Sequence, residues 1–195
     1  MSKIITISRE YGSGGKYIGE LVASKLGIPF YDKEIIQKIA DETGFAPEYI
    51  ANSAEYAPSK SFFAYALSSR NQIGESVEDQ INRVQRGIIL DIAEKGDCVI
   101  VGRSADHVLK GKHDTIDVFI HGDTPAKKER VCKYRGVKPA EAEKLMRDID
   151  KKRSINYKYY TGETWGEAKN YTITLNSTRI GVENCADIIA GLYRL

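Results

Sequence analysis

The run Ser8-Arg9-Glu10-Tyr11-Gly12-Ser13-Gly14-Gly15-Lys16 has residue types and spacing suited to holding phosphate. It follows a short β-branched stretch, Lys3 to Ile7, and precedes apolar residues at helical spacing, Ile18, Leu21, Val22 and Leu26. A helix start presents N–H groups without helical partners and the positive end of the helix dipole. Gly12, Gly14 and Gly15 let the backbone close on an anion, because they carry no side chain and tolerate positive φ. Gly12 to Lys16, with Ser13 and the following Tyr17, are therefore the candidate phosphate site. A plain tight turn is the alternative reading. The run departs from the phosphate loop GxxxxGK[ST]: with Lys16 on the motif's lysine, Glu10 stands where the first glycine belongs. It is not GxGxxG either, and Asp32 comes early for the acidic residue of a dinucleotide site.

The elements that must position this run are legible in outline. Gly27 reads as a helix C-cap, Ile28 to Tyr31 as a second strand, and Asp32 as the cap of a helix through Ile35, Ile36 and Ile39. From Gly44 to Ser76 prolines, serines and Asn52 break the pattern, which reads as an insertion of short helices and loops. Its Phe62, Phe63 and Tyr65 fit a satellite core or a base-stacking pocket. Ser76, with Asp79, opens a long helix like a capping box. Cys98 to Val101, Asp114 to Ile120 and Tyr171 to Leu175 are further strands, and Pro125 starts a helix. Pro139 to about Tyr157 and a stretch through Val182, Ile188 and Leu192 are helices. Apolar strands alternating with helices predict an α/β fold with a parallel sheet covered on both faces.

Composition bounds the function classes. The 195 residues are 42% hydrophobic and 29% charged, which is globular composition and excludes disorder along the whole chain. A net charge of +2 demands neither a nucleic-acid polymer nor a membrane surface as partner. No apolar run reaches the ~20 residues of a membrane-spanning helix, and the first residues have no signal-peptide core. Three scattered cysteines offer no disulfide framework, so a reducing cytoplasm is expected. His107, His113 and His121 lack metal-ligand spacing. Cys98 reads as core, Asp148 and Asp150 as helix-surface partners, and Trp165 as packing.

Ile7 to Gly15, then Ile18-Gly19 and Leu26-Gly-Ile-Pro-Phe-Tyr-Asp-Lys-Glu34, resemble the cytidylate kinase-like family. The likeness continues at Val99-Ile-Val-Gly-Arg103, from Lys152-Arg153 to Tyr160, and at Asn170 to Asn176. It covers nearly the whole chain and is weakest between Gly44 and Ser76. The resemblance implies a three-layer P-loop fold with a five-stranded parallel sheet. It implies one domain: a core of 1–43 and 77–195, a helical nucleoside-monophosphate-binding insertion at about 44–76, and a basic lid at about 150–169. It implies γ-phosphoryl transfer from ATP, with Mg²⁺, to a nucleotide such as CMP or dCMP. In that scheme Asp32, Arg103 and Ser104 bind the acceptor. Lys151, Lys152, Arg153 and Tyr157 form the lid, and Lys16 and Arg153 are catalytic. A homodimer is possible.

Aligned without gaps to a cytidylate kinase, Gly15 falls at the loop lysine, and Lys16 falls one residue later. Tyr17 falls where a small hydroxyl residue would help to hold Mg²⁺. One residue further along a helix is a rotation of about 100°. Lys16 is expected to fold back over the loop, since a cation there is attracted to phosphate. If it points to solvent, the charge must come from Arg9 or the lid. Three functions stay open: a nucleoside monophosphate kinase, a nucleotide-binding sensor without turnover, and a kinase of a non-nucleotide metabolite.

Overall fold

The computed structural model describes residues 2–47, 49, 50 and 76–195. Five strands form one parallel sheet: β1 (Lys3–Arg9), β2 (Phe30–Tyr31), β3 (Cys98–Val101), β4 (Asp114–His121) and β5 (Ile173–Asn176). Their spatial order is β2-β3-β1-β4-β5, so the strand that feeds the glycine loop lies at the centre. The helices are α1 (Gly15–Leu26), α2 (Lys33–Thr43), α3 (Val77–Glu94), α4 (Ala105–Leu109), α5 (Thr124–Arg135), α6 (Pro139–Thr161), α7 (Ser177–Ile180) and α8 (Val182–Tyr193), with a 3₁₀ turn at Ala168–Asn170.

Side chains alternate across a strand, and the sheet accordingly has two cores. On one face Ile4, Cys98 and Ile100 pack with Ile35 and Ile39 of α2, Ile88, Ile89 and Ile92 of α3, and Leu109 of α4. On the other Ile5, Ile7, Val99, Val118 and Ile120 pack with Ile18 and Val22 of α1 and Cys185 and Ile189 of α8. Both faces are covered, as a parallel sheet of near-continuous apolar strands requires. Helix ends follow local chemistry. Gly27 closes α1 at φ 67°, and Ser76 Oγ accepts from Asp79 N–H at 3.1 Å to open α3. Asp32 differs from expectation. It precedes α2 but makes no side-chain cap, because its carboxylate is taken by a lysine of α1.

Helices α5 and α6 form a separate unit beside the sheet. Val131, Ala142 and Met146 are its small buried core, and Tyr11 of the glycine loop packs against them. The expected lid, 150–169, begins inside α6, which runs unbroken from Pro139 to Thr161. The aromatic stretch Phe62, Phe63 and Tyr65 and most of the expected insertion lie outside the described residues.

Candidate active site

The glycine loop leaves β1 at the carboxyl edge of the sheet, where ligands of open parallel sheets bind. Gly12 and Gly14 adopt φ 80° and 84°, and Gly14 is the N-cap of α1. Donors outside the loop hold its carbonyls. Arg153 Nη1 donates to Arg9 O at 3.1 Å, Arg130 Nη1 to Gly12 O at 2.6 Å, and Ser177 Oγ to Ser13 O at 2.6 Å. Ser13 Oγ donates to Glu10 O at 2.8 Å. Satisfied carbonyls repel an incoming anion less, while the first amides of α1 keep their general attraction for one. Acids also grip the loop. Asp150 Oδ1 accepts from Tyr11 N–H at 2.7 Å, and Glu10 accepts from buried Lys127 at 2.7 Å.

The turn after β3 lies beside the loop. Gly102 N–H donates to Ile7 O at 2.9 Å, which fixes the turn one strand over. Gly102, Arg103 and Ser104 are all left-handed, with φ 73°, 61° and 52°. Between loop, turn and α6 opens a cleft of about 490 Å³, counting the part open to solvent. Ser8, Arg9, Gly102, Arg103, Ser104, Arg153, Asn156, Tyr157 and Trp165 line it. Three arginines, from β1, the β3 turn and α6, thus line one cleft. Clustered arginines are suited to bidentate recognition of phosphate.

Tyr157 of the cleft lining is buried and donates its hydroxyl proton to Asp106 of α4 at 2.7 Å, with Glu163 Oε2 at 3.2 Å from the same oxygen. Burial, then the Asp106 charge, hold its phenol far above the ordinary range, so it stays a donor. Burial also pushes Asp106 up to about 6, against the Tyr157 hydrogen bond and with Asp117 adding its charge.

Residues 4–179 match the sequence model of the cytidylate kinase-like family. The chain belongs to that family. A cytidylate kinase from Methanopyrus kandleri is 25% identical over 188 residues, which are 92% of this chain and 86% of that protein. A solved structure of a protein from Eubacterium ventriosum superposes with a TM-score of 0.75 at 27% identity, covering 98% of both chains. The shikimate kinase of Bacteroides thetaiotaomicron superposes at 0.56 with 15% identity over 100% of both chains, a likeness of fold. The fold is thus that of the P-loop kinases.

Within this cytidylate kinase-like frame, the expected site residues divide. Arg103, Ser104, Arg153 and Tyr157 are brought together in the cleft. Lys151 and Lys152 do not line it. Lys16 does not fold back over the loop. Its amine pairs with Asp32 at 2.9 Å and lies 3.8 Å from Glu20, and the Asp32 hydrogen bond raises its pKa. Asp32 is therefore occupied by Lys16 and lies outside the cleft lining. Asp150, read as a surface partner, binds the loop amide instead. Trp165 packs edge-on against Phe119, at 5.2 Å, and also lines the cleft. The loop-gripping Arg130 and Lys127 carried no signal in the sequence.

The arginines of the cleft and the first amides of α1 are donors of the kind that suit phosphate. Tyr17, 52% exposed, stands where the small hydroxyl residue that helps to hold Mg²⁺ would be.

The raised Asp106 pKa has a measurable consequence. An ordinary aspartate loses its proton near 3.8, whereas folded Asp106 keeps it to about 6. The folded state binds more protons between those values, so this group's contribution falls as pH rises from 4 to 6, by up to ~3 kcal/mol. Asp106→Asn keeps an oxygen acceptor for Tyr157. In urea unfolding it is expected to be more stable than the parent at pH 7.5, with the gain shrinking towards pH 4.5. An equal difference at both pH values contradicts this.

Proposed function

We propose that this chain transfers the γ-phosphoryl group of ATP to a nucleoside monophosphate, with CMP or dCMP foremost. The observation that carries the reading is the convergence of Arg9, at the head of the glycine loop, with Arg103 and Arg153 on one cleft. Phosphoryl transfer asks a protein for position and charge neutralisation more than for covalent chemistry. An acceptor phosphate oxygen attacks the γ-phosphorus, the bridging bond to ADP breaks, and negative charge spreads over the transferring oxygens. Arg103, at the end of β3, holds the acceptor phosphate; Arg153, from α6, faces the transferring group. The M. kandleri relative, named a cytidylate kinase, supports a nucleotide acceptor.

A reading as a nucleotide sensor without turnover is favoured by one observation. Gly15 has no side chain at the lysine position, and Lys16 is held by Asp32. A coupled assay with ATP, Mg²⁺ and a panel of nucleoside monophosphates separates the two. Transfer to a pyrimidine monophosphate is expected. ATP binding without transfer to any acceptor gives the sensor reading, and transfer only to a sugar or other metabolite gives a different kinase. In the same assay Lys16→Ala is expected to change turnover less than about threefold, because its amine is engaged with Asp32 and neither residue lines the cleft. A hundredfold loss would return Lys16 to the site.

A further inference from the structure

In an ordinary phosphate loop the lysine follows the last glycine, and its charge reaches the β- and γ-phosphates. Here that position is Gly15, and the position of the motif's first glycine is Arg9. The two exchanges are linked in space. A Cβ built on Gly15 falls 2.5 Å from Arg9 Cβ and 2.9 Å from Arg9 Cγ. The Arg9 stem therefore fills the volume that a side chain at residue 15 would need. Its far end is also provided for. A Cβ on Gly102 would strike Arg9 Nη1, so the guanidinium lies against the bare turn after β3. Two glycines, on different elements, thus leave one channel for one arginine. The channel runs from the start of α1 to the cleft shared with Arg103 and Arg153.

We propose that Arg9 supplies the charge of the missing loop lysine: its guanidinium, threaded past Gly15 and Gly102, contacts the β- and γ-phosphates of ATP during transfer. The inference rests on the phosphoryl-transfer reading, because it assigns Arg9 a phosphate to meet. An arginine at this point differs from a lysine in kind. Its planar fork binds two oxygens at once, and its charge is not removed at any accessible pH.

The test is an exchange of the two positions. Arg9→Ala is expected to lower kcat by about 10²-fold or more, the range for one preorganised charge-stabilising group. Arg9→Lys retains an intermediate rate. The double variant Arg9→Gly/Gly15→Lys restores the ordinary arrangement and is expected to run at least about tenfold faster than Arg9→Gly alone, the lysine again stabilising the transferred charge. The Arg153 hydrogen bond goes to the Arg9 carbonyl and survives every variant. Melting curves of each variant show whether it is folded. Calorimetry with a non-hydrolysable ATP analogue and with ADP supplies the second readout: loss of Arg9 weakens the triphosphate more than the diphosphate. If wild type transfers phosphoryl and folded Arg9→Ala keeps its kcat, the assignment of Arg9 is overturned and the function stands. No gain in the double variant over Arg9→Gly overturns it likewise. If wild type binds ATP without transfer, the function reading fails, and equal weakening of both nucleotides then overturns the Arg9 contact. If wild type binds no ATP, both fall.

Discussion

Arg103→Ala is expected to weaken binding of the acceptor monophosphate by about 2–5 kcal/mol, the range for truncating one member of a buried, charge-assisted contact. Affinity for an ATP analogue should change little. The reason lies in the backbone as much as in the guanidinium. Arg103 and Ser104 are the non-glycine residues with positive φ among those described, and they follow a left-handed glycine. Each such residue costs roughly 1–2 kcal/mol, because Cβ crowds the carbonyl. Strain of this kind persists only when the surroundings hold it, and it gathers at functional sites. Here the Arg103 carbonyl accepts from buried Gln85 of α3 at 3.3 Å, and the preceding Gly102 amide is fixed to β1. The turn places Arg103 in the cleft lining. Arg103→Gly relieves the strain and removes the charge, so it should lose acceptor affinity as Arg103→Ala does without losing stability. Titration of each variant with CMP, beside thermal melts, tests both statements. Equal loss for donor and acceptor would remove Arg103 from the acceptor site.

Gly12→Ala is expected to destabilise the fold by about 2–5 kcal/mol, from left-handed backbone strain together with overpacking. The residue sits at φ 80°, and its built Cβ falls 2.8 Å from Val131 Cγ2 and 2.9 Å from the Lys127 carbonyl. Neither neighbour can yield freely: the carbonyl is helix backbone, and Val131 is 3% exposed in the core that joins α5 to α6. Gly27→Ala is the matched control. It also has positive φ, 67°, but nothing lies within 4 Å of its built Cβ. It should lose only the backbone share, about 1–2 kcal/mol. Urea unfolding of the pair isolates the contact between loop and helix. Equal losses would show that α5 does not press on Gly12.

The sheet and its order of elements were legible because burial on both faces writes continuous apolar strands, and the helices between them keep a 3.6-residue period. Ser76 with Asp79 and Gly27 announced their caps locally, and both caps are present. Helices α4 and α7 were missed, being too short, at 5 and 4 residues, to show a period. The cleft was legible where the chain itself carries the signal, as at Arg103 and Arg153. The rest of the site was illegible where the signal lies in contacts between distant segments. Asp32 looked like a cap because it immediately precedes α2, whereas its carboxylate partner lies on α1. Asp150 looked like surface, because its amide partner at Tyr11 belongs to another element. Lys16 was expected at the phosphate on attraction alone, and a nearer carboxylate holds it instead.

The central place of β1 in the sheet bears on how the chain is made. Residues 4 to 7 of β1 pair with residues 98 to 101 on one side, and residues 3 to 9 pair with 114 to 120 on the other. Neither partner has left the ribosome when β1 emerges. The apolar strand and its glycine loop must therefore wait, with hydrogen-bonding edges bare, until residues 98 to 120 have been made. Pairings so distant in sequence close slowly and expose aggregation-prone edges in the meantime. A stalled nascent chain carrying residues up to the end of β3 has one neighbour for β1 and lacks the other. Protease resistance of the loop should be absent from such chains and appear in longer ones that have released β4 and the helices whose Arg130, Asp150 and Arg153 hold the loop.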